Sequence, residues 1–236
     1  MVKTLGISGS IASGKSYFVK VFIDLLKEQN VEYYHFDADT ETHEVIRKNH
    51  KEISALLDII DLYKDGVSDS ERAFSKAILN KILSSSELNN TYQTYIWNIL
   101  YGELLRSRDN FFSSIKDKGL DKGVFIFDAA FLFGAGWDNL ADMIVKVVAD
   151  TDVRKARFVE RSEQNVHKND DKNHDKSHFE AQFDLIEKAS EKERYLDRER
   201  NRKIIFTMNN TNTTGDVPLE LEAKTVYTCL FEEKPW

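Results

Sequence analysis

Residues 4–26 read T-L-G-I-S-G-S-I-A-S-G-K-S-Y-F-V-K-V-F-I-D-L-L: a short apolar run (Thr4 to Ile7), a glycine- and serine-rich turn (Gly9 to Ser16), then an amphipathic stretch (Tyr17 to Leu26). This is the strand, turn and helix start of a phosphate-binding P-loop. Glycines let the backbone fold around an anion, successive N–H groups point inward, and the helix N-terminus adds a favourable dipole. On this reading Gly9, Ser10, Ile11, Ala12, Ser13, Gly14, Lys15, Ser16 and Tyr17 form the cradle of a nucleotide. Lys15 neutralises the outer phosphates and Ser16 offers its hydroxyl to Mg²⁺. A Gly/Ser turn that binds nothing is the alternative, and the flanking strand and helix argue against it.

Outward from that stretch, strand and helix signals alternate. Candidate strands are Lys3 to Ser8, Glu32 to Phe36, Val124 to Asp128, Met143 to Ala149 and Lys203 to Met208. The pattern predicts an α/β three-layer sandwich, a five-stranded parallel sheet with helices on both faces. The gap from Asp37 to Lys122 exceeds what one crossover needs and is filled by helical patterns. Two capping boxes, Ser68 with Glu71 and Ser84 with Glu87, mark helix starts there. The second opens a stretch to about Lys116 in which Leu88, Tyr92, Tyr95, Ile99 and Leu104 recur near helical spacing. That stripe reads chiefly as core. Trp97 and Tyr101 have two readings, an adenine pocket or core packing, and packing is favoured. The whole is one domain: a core of about 1–50, 122–162 and 201–236, a helical substrate-side region of about 51–121, and a lid of about 157–200.

Composition narrows the function. With 236 residues the chain can bury a large core, and 33 basic against 40 acidic side chains give a net charge of −7. Mild acidity argues against a nucleic-acid partner held by phosphate neutralisation. No leader and no apolar run of membrane-span length is read, so the expected location is the cytoplasm with no membrane partner. Cys229 is the sole cysteine, which excludes an internal disulfide. Gln164 to Ser177 is polar and reads as a loop; His167, His174 and His178 with Asp170, Asp171 and Asp175 match no defined zinc spacing. Oligomeric state is not readable.

The remaining chemistry sits at strand ends. F-D-A-D-T-E-T-H places Asp37 and Asp39 after the second strand, at the edge where ligands of open α/β sheets bind. A carboxylate there accepts a proton from an attacking hydroxyl or helps hold Mg²⁺; an Asx turn or helix cap is the other reading of each. Alternation puts the two on one side if the strand persists that far. V-F-I-F-D, ending at Asp128, has the form of a Walker B element with a Mg²⁺-linked carboxylate; a turn cap is its alternative. D-T-D-V-R-K-A-R-F-V-E-R carries Arg154, Arg157 and Arg161, the last two on one helix face, suited to a lid that closes guanidinium groups onto phosphates. An exposed basic face pairing with Asp152 and Glu160 is the competing reading. I-I-F-T-M-N-N-T brings Asn209 and Asn210 to the same edge, for base contact or for a turn.

The order of these pieces resembles the dephospho-coenzyme A kinase family. The likeness rests on G-S-I-A-S-G-K-S, D-A-D-T-E-T-H, K-D-G-V-S-D, F-D-A-A-F-L-F, R-F-V-E-R and M-N-N-T, and it spans nearly the whole chain. It implies a P-loop kinase core with a helical coenzyme-binding region and a lid. It implies MgATP-dependent phosphorylation of the ribose 3′-hydroxyl of dephospho-coenzyme A, a small-molecule acceptor. By the same resemblance Asp39 matches the catalytic carboxylate, Arg157 and Arg161 the lid arginines, and Asn209 the base-proximal asparagine. Ser10 and Ala12 replace P-loop glycines, Tyr17 stands where a threonine is usual, and Ala130 and Gly134 replace a proline and a glutamate. Two other functions use the same core: a nucleoside or nucleotide kinase, and a nucleotide-binding regulatory protein without transfer activity.

Overall fold

In a computed structural model of the chain, residues 1–57, 86–168, 176–189, 205–211 and 218–231 are described. Strands β1 (Val2–Gly9), β2 (Glu32–Asp37), β3 (Gly123–Asp128), β4 (Met143–Val148) and β5 (Ile205–Asn209) form one sheet in the order β2-β3-β1-β4-β5. β1 pairs in parallel with β3 and with β4, and β4 with β5. The central strand is therefore the one that leads into the glycine turn, and β3 and β4 flank it. Helices are α1 (Lys15–Glu28), α2 (Ala38–Lys48), α3 (His50–Leu56), α4 (Ser86–Asp117), α5 (Thr151–Lys168), α6 (Lys176–Ala189) and α7 (Leu219–Phe231). Two compact units result, Met1–His35 with Phe111–Trp236, and Phe36–Asn110.

In the first unit β3 shows how alternation builds the layers. Val124 and Ile126 join the core formed with Leu5, Ile7 and Val145 of neighbouring strands, Phe18 and Phe22 of α1, and Val226 and Leu230 of α7. Phe125 points the other way, where Phe111 of α4 lies 6.2 Å from it and Tyr34 stacks on it at 5.5 Å. A sheet buried on both faces needs apolar residues at every position, and all six residues of β3 are buried. In the second unit Val45, Ile53, Leu57, Ile96, Leu100 and Leu104 are buried.

The strands match the sequence reading to within a residue or two; Lys203 and Ile204 lie outside the described residues. So do Ser68, Glu71 and Ser84 of the capping boxes, and all of K-D-G-V-S-D. The long helix is present as α4, and its deepest residues before Leu104 are Ile96 and Leu100. Tyr92 is partly buried, and that burial pushes its hydroxyl up to about 12. Tyr101 is 38% exposed. The reading of Gln164 to Ser177 as a loop is corrected at both ends: α5 continues to Lys168 and α6 starts at Lys176. Once a helix is nucleated, each further residue adds a hydrogen bond, and neither Gly nor Pro interrupts 164–168. Among the described residues, no helix is long and apolar enough to cross a membrane.

Candidate active site

The turn after β1 is built for an anion. Gly14 is the N-cap of α1 at φ 98°, in the left-handed region, and Phe18 N–H donates to its carbonyl at 3.0 Å. A Cβ there would overlap the side-chain amide nitrogen of Asn210, so glycine is required on two counts. At Gly9 a Cβ would lie 2.6 Å from Ser13 Oγ and 2.7 Å from the Val147 carbonyl oxygen. Ala12, which stands at a usual glycine, also adopts positive φ (57°). That costs a non-glycine residue roughly 1–2 kcal/mol, and Ile11 and Ala12 pack against the apolar cluster of Phe158, Val159, Phe179 and Phe183 on α5 and α6. No acidic residue occupies the first turn of α1, which leaves its N-terminal dipole for an external anion.

Lys15 opens α1 with its side chain only 10% exposed, and its ammonium donates to Asp128 Oδ1 at the end of β3. Parallel pairing explains the meeting, since Ile7 of β1 stands opposite Asp128 of β3. The second carboxylate oxygen, Oδ2, is 2.6 Å from His35 Nε2 on β2. Burial by itself would raise the Asp128 carboxyl. The His35 hydrogen bond and the charge and hydrogen bond of Lys15 outweigh it and hold the group below the usual aspartate value. Asp128 is thus an anion, and because a carboxylate only accepts, His35 Nε2 carries the proton between them. His35 was missed in the sequence: a histidine inside a strand gives no periodic signal, and only the β2-β3 pairing brings it to Asp128.

Asp37 and Asp39 take separate parts. β2 ends at Asp37 and α2 begins at Ala38, so the alternation that would align the two carboxylates does not persist. Asp37 is the N-cap of α2: its Oδ1 accepts from Asp39 N–H at 3.0 Å and Thr40 N–H at 3.2 Å, and its Oδ2 from Thr40 Oγ1 at 2.9 Å. Capping consumes that carboxylate. Asp39 lies in the first turn of α2, where a negative charge suits the dipole, and it is exposed.

The arginine helix and the asparagine turn meet the P-loop in an order the sequence did not give. Asn210, not Asn209, reaches the loop: its side-chain amide donates to the Ser13 carbonyl at 2.9 Å. Its own carbonyl accepts from Arg157 Nη2 at 2.8 Å, so one residue joins α5 to the cradle. Asn209 Oδ1 instead accepts from Thr211 Oγ1 at 2.6 Å, and that hydroxyl accepts from Asp150 N–H at 3.2 Å. Neighbouring residues leaving a strand point oppositely, and nothing in two adjacent asparagines tells which turns inward. Arg161 is exposed, its guanidinium 6.0 Å from the Phe158 ring centre. Arg154 is buried and grips Glu187 of α6 through two bonds of 2.7 and 2.6 Å, fastening α5 to α6. Arg157 Nη1 and Ser13 Oγ are buried and find no hydrogen-bond partner among the described residues.

The donor set also bears on Mg²⁺. Ser16 is exposed in the first turn of α1, while both oxygens of Asp128 are engaged. Among the described residues no group of three or more His, Cys, Asp and Glu could hold a metal ion. Ser16 therefore fits a cation carried largely by phosphate oxygens, and Asp128 fits as the anchor of Lys15 rather than as a direct ligand.

A parallel sheet of this order, whose central strand opens into an amide cradle with its lysine paired to the next strand's terminal carboxylate, is that of a P-loop kinase. The comparisons narrow the class. The family model described as dephospho-CoA kinase matches residues 3–202, and the chain belongs to that family. Dephospho-CoA kinases of Streptococcus pyogenes serotypes M3 and M1 are each 26% identical to it over 159 residues, 67% of this chain and 73% of theirs. The crystal structure of TT1252 from Thermus thermophilus superposes with a TM-score of 0.63 at 18% identity, covering 99% of this chain and 98% of that one, and shares the fold.

Proposed function

We propose that this chain transfers the terminal phosphate of ATP to the ribose 3′-hydroxyl of dephospho-CoA, giving CoA. Membership of the dephospho-CoA kinase family supports the reaction. The observation that carries the residue assignment is the buried Lys15 at the mouth of an acid-free helix N-terminus, held by Asp128. Backbone amides of Gly9 to Ser16 bind the phosphates, and Lys15 neutralises the charge that spreads over the transferred group. The orphaned Ser13 hydroxyl and Arg157 Nη1 are polar groups that a polyanion would satisfy. Arg157 and Arg161 close over the phosphates and keep water from them. Tyr17, 53% exposed beside Ser16, borders the nucleotide with Asn209 at the end of β5, while Asn210 holds the loop through the Ser13 carbonyl.

Asp39, exposed in the first turn of α2 and matching the family's catalytic carboxylate, is the proton acceptor for the attacking hydroxyl. Mg²⁺, where bound, supplies neutralisation between the outer phosphates, and Ser16 is the residue that would hold it. We place the protein in the cytoplasm. Incubation with MgATP and a panel of dephospho-CoA, nucleosides and nucleoside monophosphates tests the reading. Phosphate should appear on dephospho-CoA alone. Transfer only to a nucleoside or its monophosphate, or ATP binding with no transfer, would overturn it.

A further inference from the structure

The carboxylate that holds Lys15 is itself held by a residue to which nothing above gives a part in the reaction. Asp128 is 3% exposed, and its two oxygens are divided between two partners: Lys15 on Oδ1 and His35 Nε2 on Oδ2 at 2.6 Å. His35 itself keeps 24% of its side-chain surface exposed. Lys15 is a flexible four-carbon stem ending in a point charge, so its direction is set by what it is bonded to. Here that is Asp128. When a polyphosphate enters, the ammonium must be shared with phosphate oxygens, and the carboxylate loses part of its first partner while remaining buried. A buried charge in that position is unfavourable and free to drift unless a second group keeps it.

We propose that His35 is a positioning residue for phosphoryl transfer: it pins Asp128 by Oδ2, so that Oδ1 stays aimed at Lys15 while the ammonium engages the phosphates of ATP. The chemistry matches the geometry. The Nε2–H bond goes to an ionised acceptor, the stronger class of hydrogen bond, and imidazole on a strand has only two torsions in which to wander. Because the proposed role runs through Asp128 and Lys15, its effect should appear on the ATP side.

The inference rests on the assignment of ATP to the P-loop, and the test separates the two. Binding of the non-hydrolysable analogue AMP-PNP with Mg²⁺ is measured by calorimetry on wild type, His35→Leu and His35→Gln, alongside steady-state kinetics with dephospho-CoA. A hydrogen bond to a charged group is worth about a 10- to 100-fold change. His35→Leu should lower kcat/KM for MgATP by about that factor and weaken AMP-PNP, with KM for dephospho-CoA unchanged. His35→Gln, whose amide N–H can replace Nε2–H, should recover most of the loss. Against an Asp128→Asn background, His35→Leu should bring little further change, because the residue acts through that carboxylate. Wild-type kinetics in His35→Leu, no recovery in a folded His35→Gln, or additive losses in the double variant would each overturn the proposal. Failure of the wild type to bind AMP-PNP would instead overturn the assignment of the P-loop.

Discussion

Replacing Asp128 by Asn removes one charge at nearly constant shape and leaves Lys15 buried without its counter-ion. The two side chains are 4% and 10% exposed, so the pair is desolvated on both sides. Removing one member of a buried pair costs about 3–5 kcal/mol. The Asn oxygen can still accept from Lys15, which puts the expected loss near the lower end, about 3 kcal/mol. For a chain of this size that is a fall in Tm of about 6–12 °C at pH 7. Asp128 also aims Lys15 at the phosphates, so the variant should bind MgATP more weakly and its rise in Tm on adding MgATP should be smaller than that of wild type. Acid makes a second reading of the same group. Because the folded Asp128 carboxyl lies below the ordinary 3.8, the unfolded chain binds more protons in that range. Its contribution is complete above that value and is lost as pH falls through the lower, folded one. The gap between wild type and variant should therefore narrow below about pH 4. Scanning fluorimetry across pH, with and without MgATP, measures both effects. A variant Tm within about 2 °C of wild type at pH 7, the size of an ordinary surface change, would refute the reasoning.

Asp39→Asn should leave AMP-PNP affinity intact and lower kcat by about 10²-fold, as for a lost general base, with steady-state kinetics as the check. Arg154→Met should destabilise by about 3 kcal/mol in a denaturant melt while leaving Asp39-dependent chemistry in place, since Arg154 and Glu187, 5% and 15% exposed, fasten α5 to α6. Gly14→Ala forces a Cβ onto the Asn210 amide at φ 98°, and calorimetry should show MgATP affinity down by about tenfold or more as the cradle opens.

What can be read along the chain here is whatever local spacing encodes. The glycine turn, Lys15 after it and the apolar alternation of the strands depend on residues within a few positions of each other, and they dictate a P-loop at the end of a strand. The carboxylate closing V-F-I-F-D was visible for the same reason, and so was the choice left open at Asp37, a cap in the folded chain. Partnerships between distant positions were not visible. Asp128 meets Lys15 and His35 across 113 and 93 residues of chain, and only the strand order β2-β3-β1 places them together. Which of two adjacent asparagines turns to Ser13, and which of three arginines is buried against Glu187 rather than reaching Asn210, follows from helix phase and strand-end direction. Sequence fixes the chemistry a segment can offer through its own short-range geometry; packing of the sheet decides which of those offers meet.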